Sequence, residues 1–96
     1  MTPDKVKELQ QLILERHGCD STHIASVPVR EIFEDKTVWE GNVEVFHIFG
    51  LPDANACYAW YCQHDPAKAF TILEKPPVFS AGSAVRTVVA EKKNPA

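Results

Sequence analysis

A chain of 96 residues, 45% of them hydrophobic and 24% charged, has the make-up of one small globular domain and excludes a disordered or fibrous polymer. With 10 Lys and Arg against 13 Asp and Glu, the formal charge is −3. No basic field is present to draw phosphate backbones, and nucleic acid is not an expected partner.

The bounds tighten along the chain. Residues 1–96 read as a single domain with one modest core and a flexible tail from about residue 92. Asp4, Lys5, Lys7, Glu8 and Glu15 interrupt the start, unlike the apolar core of a secretory signal. The longest apolar run, Ala56 to Cys62, is too short to span a bilayer, so a soluble cytoplasmic protein with no membrane partner is expected. Three cysteines without framework spacing fit reduced thiols.

Thr2, Pro3 and Asp4 form a helix start: Thr caps, Pro fits the first turn and Asp meets the positive helix end. Val6, Leu9, Leu12 and Ile13 recur at helical spacing, and Gly18 is the natural stop. After a connector at Cys19 to Thr22, an extended segment runs from about His23 to Phe33. Pro28 within it has no amide hydrogen and marks an edge strand. Asp35 and Lys36 supply a turn into a long strand carrying Trp39 to Phe49.

The stretch from Trp39 to Glu74 organises the whole. Short aromatic and β-branched runs (Trp39 to Phe49, Ala56 to Cys62, Ala69 to Glu74) are split by compact Gly, Pro and Asp punctuation, the form of an antiparallel meander. Pro76 and Pro77 stop the fourth strand. Ser80 or Ser83 caps a last helix that buries Ala81, Ala84, Val85, Val88 and Val89, although its β-branched run makes a strand the alternative. The predicted fold is α+β, a four-stranded antiparallel meander flanked by an N-terminal and a C-terminal helix, α-β-β-β-β-α.

Pairing Phe49 with Ala56 continues as His47 with Tyr58, Val45 with Trp60 and Val43 with Cys62, one almost wholly apolar face. The other face holds Phe46, Ile48, Ala59 and Tyr61, and a turn at His64 to Ala67 adds Phe70 and Ile72 to it while placing Leu73 beside Tyr58. If one helix covers each face, both are core. If both helices pack on one face, the six residues Phe46, Ile48, Ala59, Tyr61, Phe70 and Ile72 meet another subunit, a protein partner or an apolar ligand.

The segments Thr37 to Phe46 (TVWEGNVEVF), Cys57 to Trp60 (CYAW), and Pro76 to Val78 followed by Ala84 to Arg86 resemble a group of small uncharacterised bacterial proteins. The resemblance spans roughly residues 23 to 90 and implies no activity. The order of elements is also similar to the double-stranded RNA-binding fold. The start of the last helix, Ser80 to Arg86, has one basic residue where that family clusters lysines.

Chemistry-bearing residues are few. Cys57, Cys62 and His64 have ligand-type side chains, but strand alternation splits them between faces, so neither metal nor cofactor is expected. A thiol activated by His47 or His64 lacks a third residue to orient the base. Glu31 and Glu40 fall opposite each other if Asp35 and Lys36 make the turn, with Glu44 beyond, and a solvated face is the ordinary reading of this acidic set. The sequence therefore favours a non-enzymatic interaction or homodimerisation module that uses the apolar sheet face. The alternative is a small enzyme or ligand carrier with a helix/sheet pocket lined by His47, Tyr58 and Cys62.

Overall fold

Residues 2–61, 68–75 and 78–93 are described in the computed structural model, with side chains through Val89. Helix α1 (Pro3–His17) is followed by strands β1 (Asp20–Phe33), β2 (Lys36–Phe49), β3 (Ala56–Tyr61) and β4 (Ala69–Leu73), then helix α2 (Ala81–Lys93). The sheet is an antiparallel meander in the order β1-β2-β3-β4, so the chain has the α-β-β-β-β-α fold that its hydrophobic pattern predicts.

Local chemistry explains both helices. Thr2 Oγ1 accepts from the Lys5 amide at 3.3 Å, Pro3 opens the first turn, and Gly18 at φ 71° closes the helix by donating its amide to Leu14. In α2, Ser80 Oγ accepts from the Ser83 amide while Ser83 Oγ accepts from the Ser80 amide, a reciprocal cap. Thr87 Oγ1 donates to the Ser83 carbonyl at 2.8 Å, which satisfies its hydroxyl inside the helix. The β-branched run is therefore helical and packs its apolar side on the sheet.

One helix covers each sheet face. Under α1, Leu9 and Ile13 pack on Cys19, Phe46, Ile48, Cys57 and Ala59. Under α2, Ala81, Ala84 and Val85 pack on Val43, Tyr58 and Trp60, with Val27, Val29, Trp39, Phe70 and Ile72 at the margins. The arrangement with both helices on one face is excluded. Strand alternation accounts for the division, since odd-numbered residues of β2 look toward α2 and even-numbered ones toward α1.

The registers differ from the sequence expectation in ways that matter. Ala56 pairs with His47 rather than Phe49, a two-residue shift that leaves every side chain on its expected face. Tyr58 pairs with Ile72 rather than Leu73, a one-residue shift that turns β4 over. Leu73 thus faces α1, and Phe70 and Ile72 face α2. At the first hairpin, Glu34 and Asp35 form the turn at φ 52° and 63°, and Phe33 pairs with Lys36. This places the turn one residue earlier than Asp35 and Lys36.

Strands β1 and β2 pair from end to end, whereas β3 reaches only Glu44 to His47. Among the described residues the segment from Val27 to Asn42 is therefore a two-stranded arm. Helix α2 covers one side of it through Val27, Val29 and Trp39. The other side shows Pro28, Arg30, Glu40 and Asn42 exposed. Two register breaks bend the pair: Ile24 and Val38 have no rung partner. No described helix is long and apolar enough to cross a membrane.

Candidate functional site

The break at Ile24 builds the most chemically loaded corner among the described residues. In an unbroken strand His23 and Ser26, three residues apart, would point to opposite faces. The extra residue reverses the alternation, so His23 stands opposite Phe46, Ser26 stands opposite Glu44, and both look to the α1 side. His23 Nε2 lies 2.8 Å from Glu44 Oε1, and Ser26 Oγ donates to the same oxygen. The imidazole also leans on the Phe46 ring, with centroids 5.2 Å apart.

Glu44 is the buried charged residue of the described core, 3% exposed. A carboxylate in that setting must be hydrogen-bonded to be tolerated, and the two donors from β1 do this. His23 keeps 26% of its side chain in solvent. The next rungs on the same side are Pro28 with Asn42 and Arg30 with Glu40. A shallow groove bordered by Pro28, Val29, Arg30, Glu40, Gly41 and Asn42 follows them. Histidine, serine and a buried carboxylate stand before this groove without lining it, and its surface is more apolar than polar.

On the other flank, the Tyr61 hydroxyl donates toward the Lys5 carbonyl at 3.3 Å and Glu8 Oε1 at 3.2 Å, while Lys5 Nζ sits 4.6 Å from the ring centroid. Burial, then the Glu8 carboxylate, push its phenol up to about 12. These contacts fasten α1 to the sheet. They make Tyr61 part of the shell beneath α1.

The residues expected to form one partner surface do not share a face. Phe46, Ile48 and Ala59 are buried beneath α1, and Phe70 and Ile72 lie on the opposite side of the sheet. The one-residue shift of β4 is the cause. Of the expected pocket residues, His47 and Tyr58 share the α2 side of the sheet but stand on different rungs. His47 is exposed with its ring 4.7 Å from Phe49, while Tyr58 pairs with Val45 and donates its hydroxyl to Glu74. Burial, then that carboxylate, raise the Tyr58 phenol far above its usual range. Cys62, and with it His64, falls outside the described residues.

Two further expectations are corrected. Glu31 stands opposite Trp39 and meets Arg86 at 3.2 Å, and Glu40 stands opposite Arg30, which it pairs with on the same face. The earlier turn and the break at Val38 cause the change, and they remove the like-charge contact. Among the described residues, no three His, Cys, Asp or Glu side chains gather as a metal site. Cys19 and Cys57 are buried free thiols. Burial first, and then Cys19, push Cys57 up to about 12, which leaves it unreactive as a nucleophile.

Compared with protein-family models, curated proteins and solved structures, the chain matches none of them. The reading of the site therefore rests on its own geometry. The His23, Ser26 and Glu44 cluster was hidden from the sequence because it depends on one unpaired residue. The signal that could have exposed it is the stretch Ile24-Ala25-Ser26-Val27, where apolar residues at Ile24 and then at Ala25 and Val27 break strict alternation.

Proposed function

We propose that the chain is an interaction module that associates with a second copy of itself through the β1–β2 arm. The observation that carries this is the exposure of large apolar side chains on the arm, while each face of the four-stranded part of the sheet packs against a helix. Ile32 and Phe33 on the arm are 55% and 54% exposed, and Ile24, just before the arm on the same strand, is 59% exposed. The partner surface expected on the sheet face thus moves to the strand that no helix shelters on its outer side.

Charge favours a second copy as the occupant. The arm carries Glu34 and Asp35 at its tip and Arg30, paired with Glu40, along its length, and Arg86 of α2 lies beside it against Glu31. Two arms lying antiparallel about a two-fold axis set the acidic tip of each against the cations of the other, with Ile32 and Phe33 between them. Pro28 and the break at Ile24 blunt the free edge of β1. The contact is accordingly one of side chains and not a continuous ladder.

Sedimentation velocity over a concentration series tests the proposal. The expected result is a concentration-dependent dimer for the wild type and a monomer for the double variant Ile32→Ser, Phe33→Ser. Circular dichroism should be unchanged, because neither side chain is core. A wild type that stays monomeric at its highest soluble concentration would contradict it.

A further inference from the structure

We infer that Arg16, His17 and Lys75 form a site for a small tetrahedral oxyanion, sulfate or phosphate as the free ion or as the phosphoryl group of a small ester, where α1 meets β4. This goes beyond self-association and lies away from the arm, since β4 is the edge of the sheet opposite β1.

Two adjacent residues of the last turn of α1 reach one hydroxyl. Arg16 Nη1 donates to the Ala69 carbonyl at 2.8 Å and to Thr71 Oγ1 at 3.4 Å, and His17 Nε2 lies 3.0 Å from the same Thr71 oxygen. Beyond β4 the Lys75 amide donates to the Leu73 carbonyl at 2.9 Å, which turns the chain back where the strand ends. Lys75 is thereby near enough for its charge to act on the His17 ring. Three basic side chains from two parts of the chain thus gather on a molecule whose formal charge is −3.

No described carboxylate answers them. Among the described residues the ion pairs join His23 with Glu44, Arg30 with Glu40 and Arg86 with Glu31, and none includes Arg16, His17 or Lys75. Burial, then Arg16, then Lys75 lower the His17 pKa, so the ring is held neutral beside two cations. A cation in the last turn ordinarily offsets the negative helix end, and Arg16 serves that purpose alone. Lys75 stands beyond β4, where that account does not reach. Fastening α1 to Ala69 and Thr71 needs only neutral donors, which would make the same bonds without mutual repulsion. An anion removes the conflict. Arg16 and Lys75 are both exposed, and the Nε and Nη2 groups of Arg16 carry no bond among the described residues.

The proton balance of His17 reports occupancy. A bound anion opposes the charges of Arg16 and Lys75 at the ring, so the His17 pKa rises and binding draws in a proton. Sulfate should therefore bind most tightly below the pKa of the free ring and weaken as pH climbs through the pKa of the complex.

The test follows histidine ring protons of the full chain by NMR, in sodium sulfate and in sodium chloride of equal ionic strength. The expected result is a saturable rise of the His17 pKa in sulfate alone, with binding tighter at about pH 5.5 than at about pH 8. The exposed His47 ring is the internal control and should respond alike to both salts. Arg16→Gln, which keeps an amide donor toward Ala69, should weaken sulfate binding at least about tenfold. Lys75→Gln should raise the His17 pKa in chloride and weaken sulfate binding several-fold. Glycerol 3-phosphate binding more tightly than inorganic phosphate would assign the site to esters, and equal binding would assign it to the free ion. A His17 titration that is the same in sulfate and chloride would overturn the inference. So would a full sulfate response in Lys75→Gln, a change at an exposed side chain outside the core.

Discussion

At the scale of single residues, Glu44 is where the sheet is most sensitive. Its carboxylate is nearly out of solvent and satisfies two donors from β1, so removing it strands the His23 ring nitrogen and the Ser26 hydroxyl. Glu44→Ala should cost about 1–3 kcal/mol in urea unfolding. Glu40→Ala, at an ion pair more than half exposed, should stay within about 1 kcal/mol. Equal effects would show that Glu44 is not buried as described. Alkaline stability turns on thiols and phenols that burial raises, Cys19, Cys57, Tyr58 and Tyr61. Cys57 and Tyr61 each have a folded-state pKa raised to about 12, so the folded state holds their protons more tightly than the unfolded chain. Their contribution is complete below the ordinary thiol and phenol values, roughly 8.5 and 10, and is lost as pH climbs toward 12. Stability should therefore fall between about pH 9 and 12, and Cys57→Ala should flatten the lower part of that fall. A thiol reagent at neutral pH should label Cys19 and Cys57 only after unfolding.

At the scale of elements, legibility followed how local the determining chemistry is. Helix α1 was readable because the Thr2 cap, Pro3, the Leu9 and Ile13 stripe and Gly18 all lie within one short segment. The faces of β2 and β3 were readable too, since an error of two residues in the loop returns every side chain to the same side. Strand β4 was not, because a single residue more or fewer in the preceding turn reverses Phe70, Ile72 and Leu73 together. The breaks at Ile24 and Val38 were equally hidden, and with them the His23 cluster and the true partner of Glu40. The hairpin turn offers a direct check. Glu34 and Asp35 occupy the left-handed region that suits Asn and Gly. Replacing them by Asn and Gly should raise stability by about 1 kcal/mol, read as a higher denaturation midpoint. A turn at Asp35 and Lys36 would instead make that replacement neutral or destabilising.

At the scale of the whole molecule, the Cα radius of gyration of 13.1 Å is close to the roughly 13 Å expected of a folded chain of about 100 residues, so the body is closed and well packed. Closure of both faces moves the question of partners to the arm. There the fold leaves Ile32 and Phe33 in solvent beside an acidic tip, and the cations that complement that tip lie on the same arm and on α2. Amide chemical shifts followed through a dilution series test this most directly, because they locate a contact as well as detect one. The predicted result is concentration-dependent shifts confined to residues 28–40 and the neighbourhood of Arg86. Shifts that do not change with concentration, or that gather at Phe49 or Phe79 instead, would contradict association through the arm.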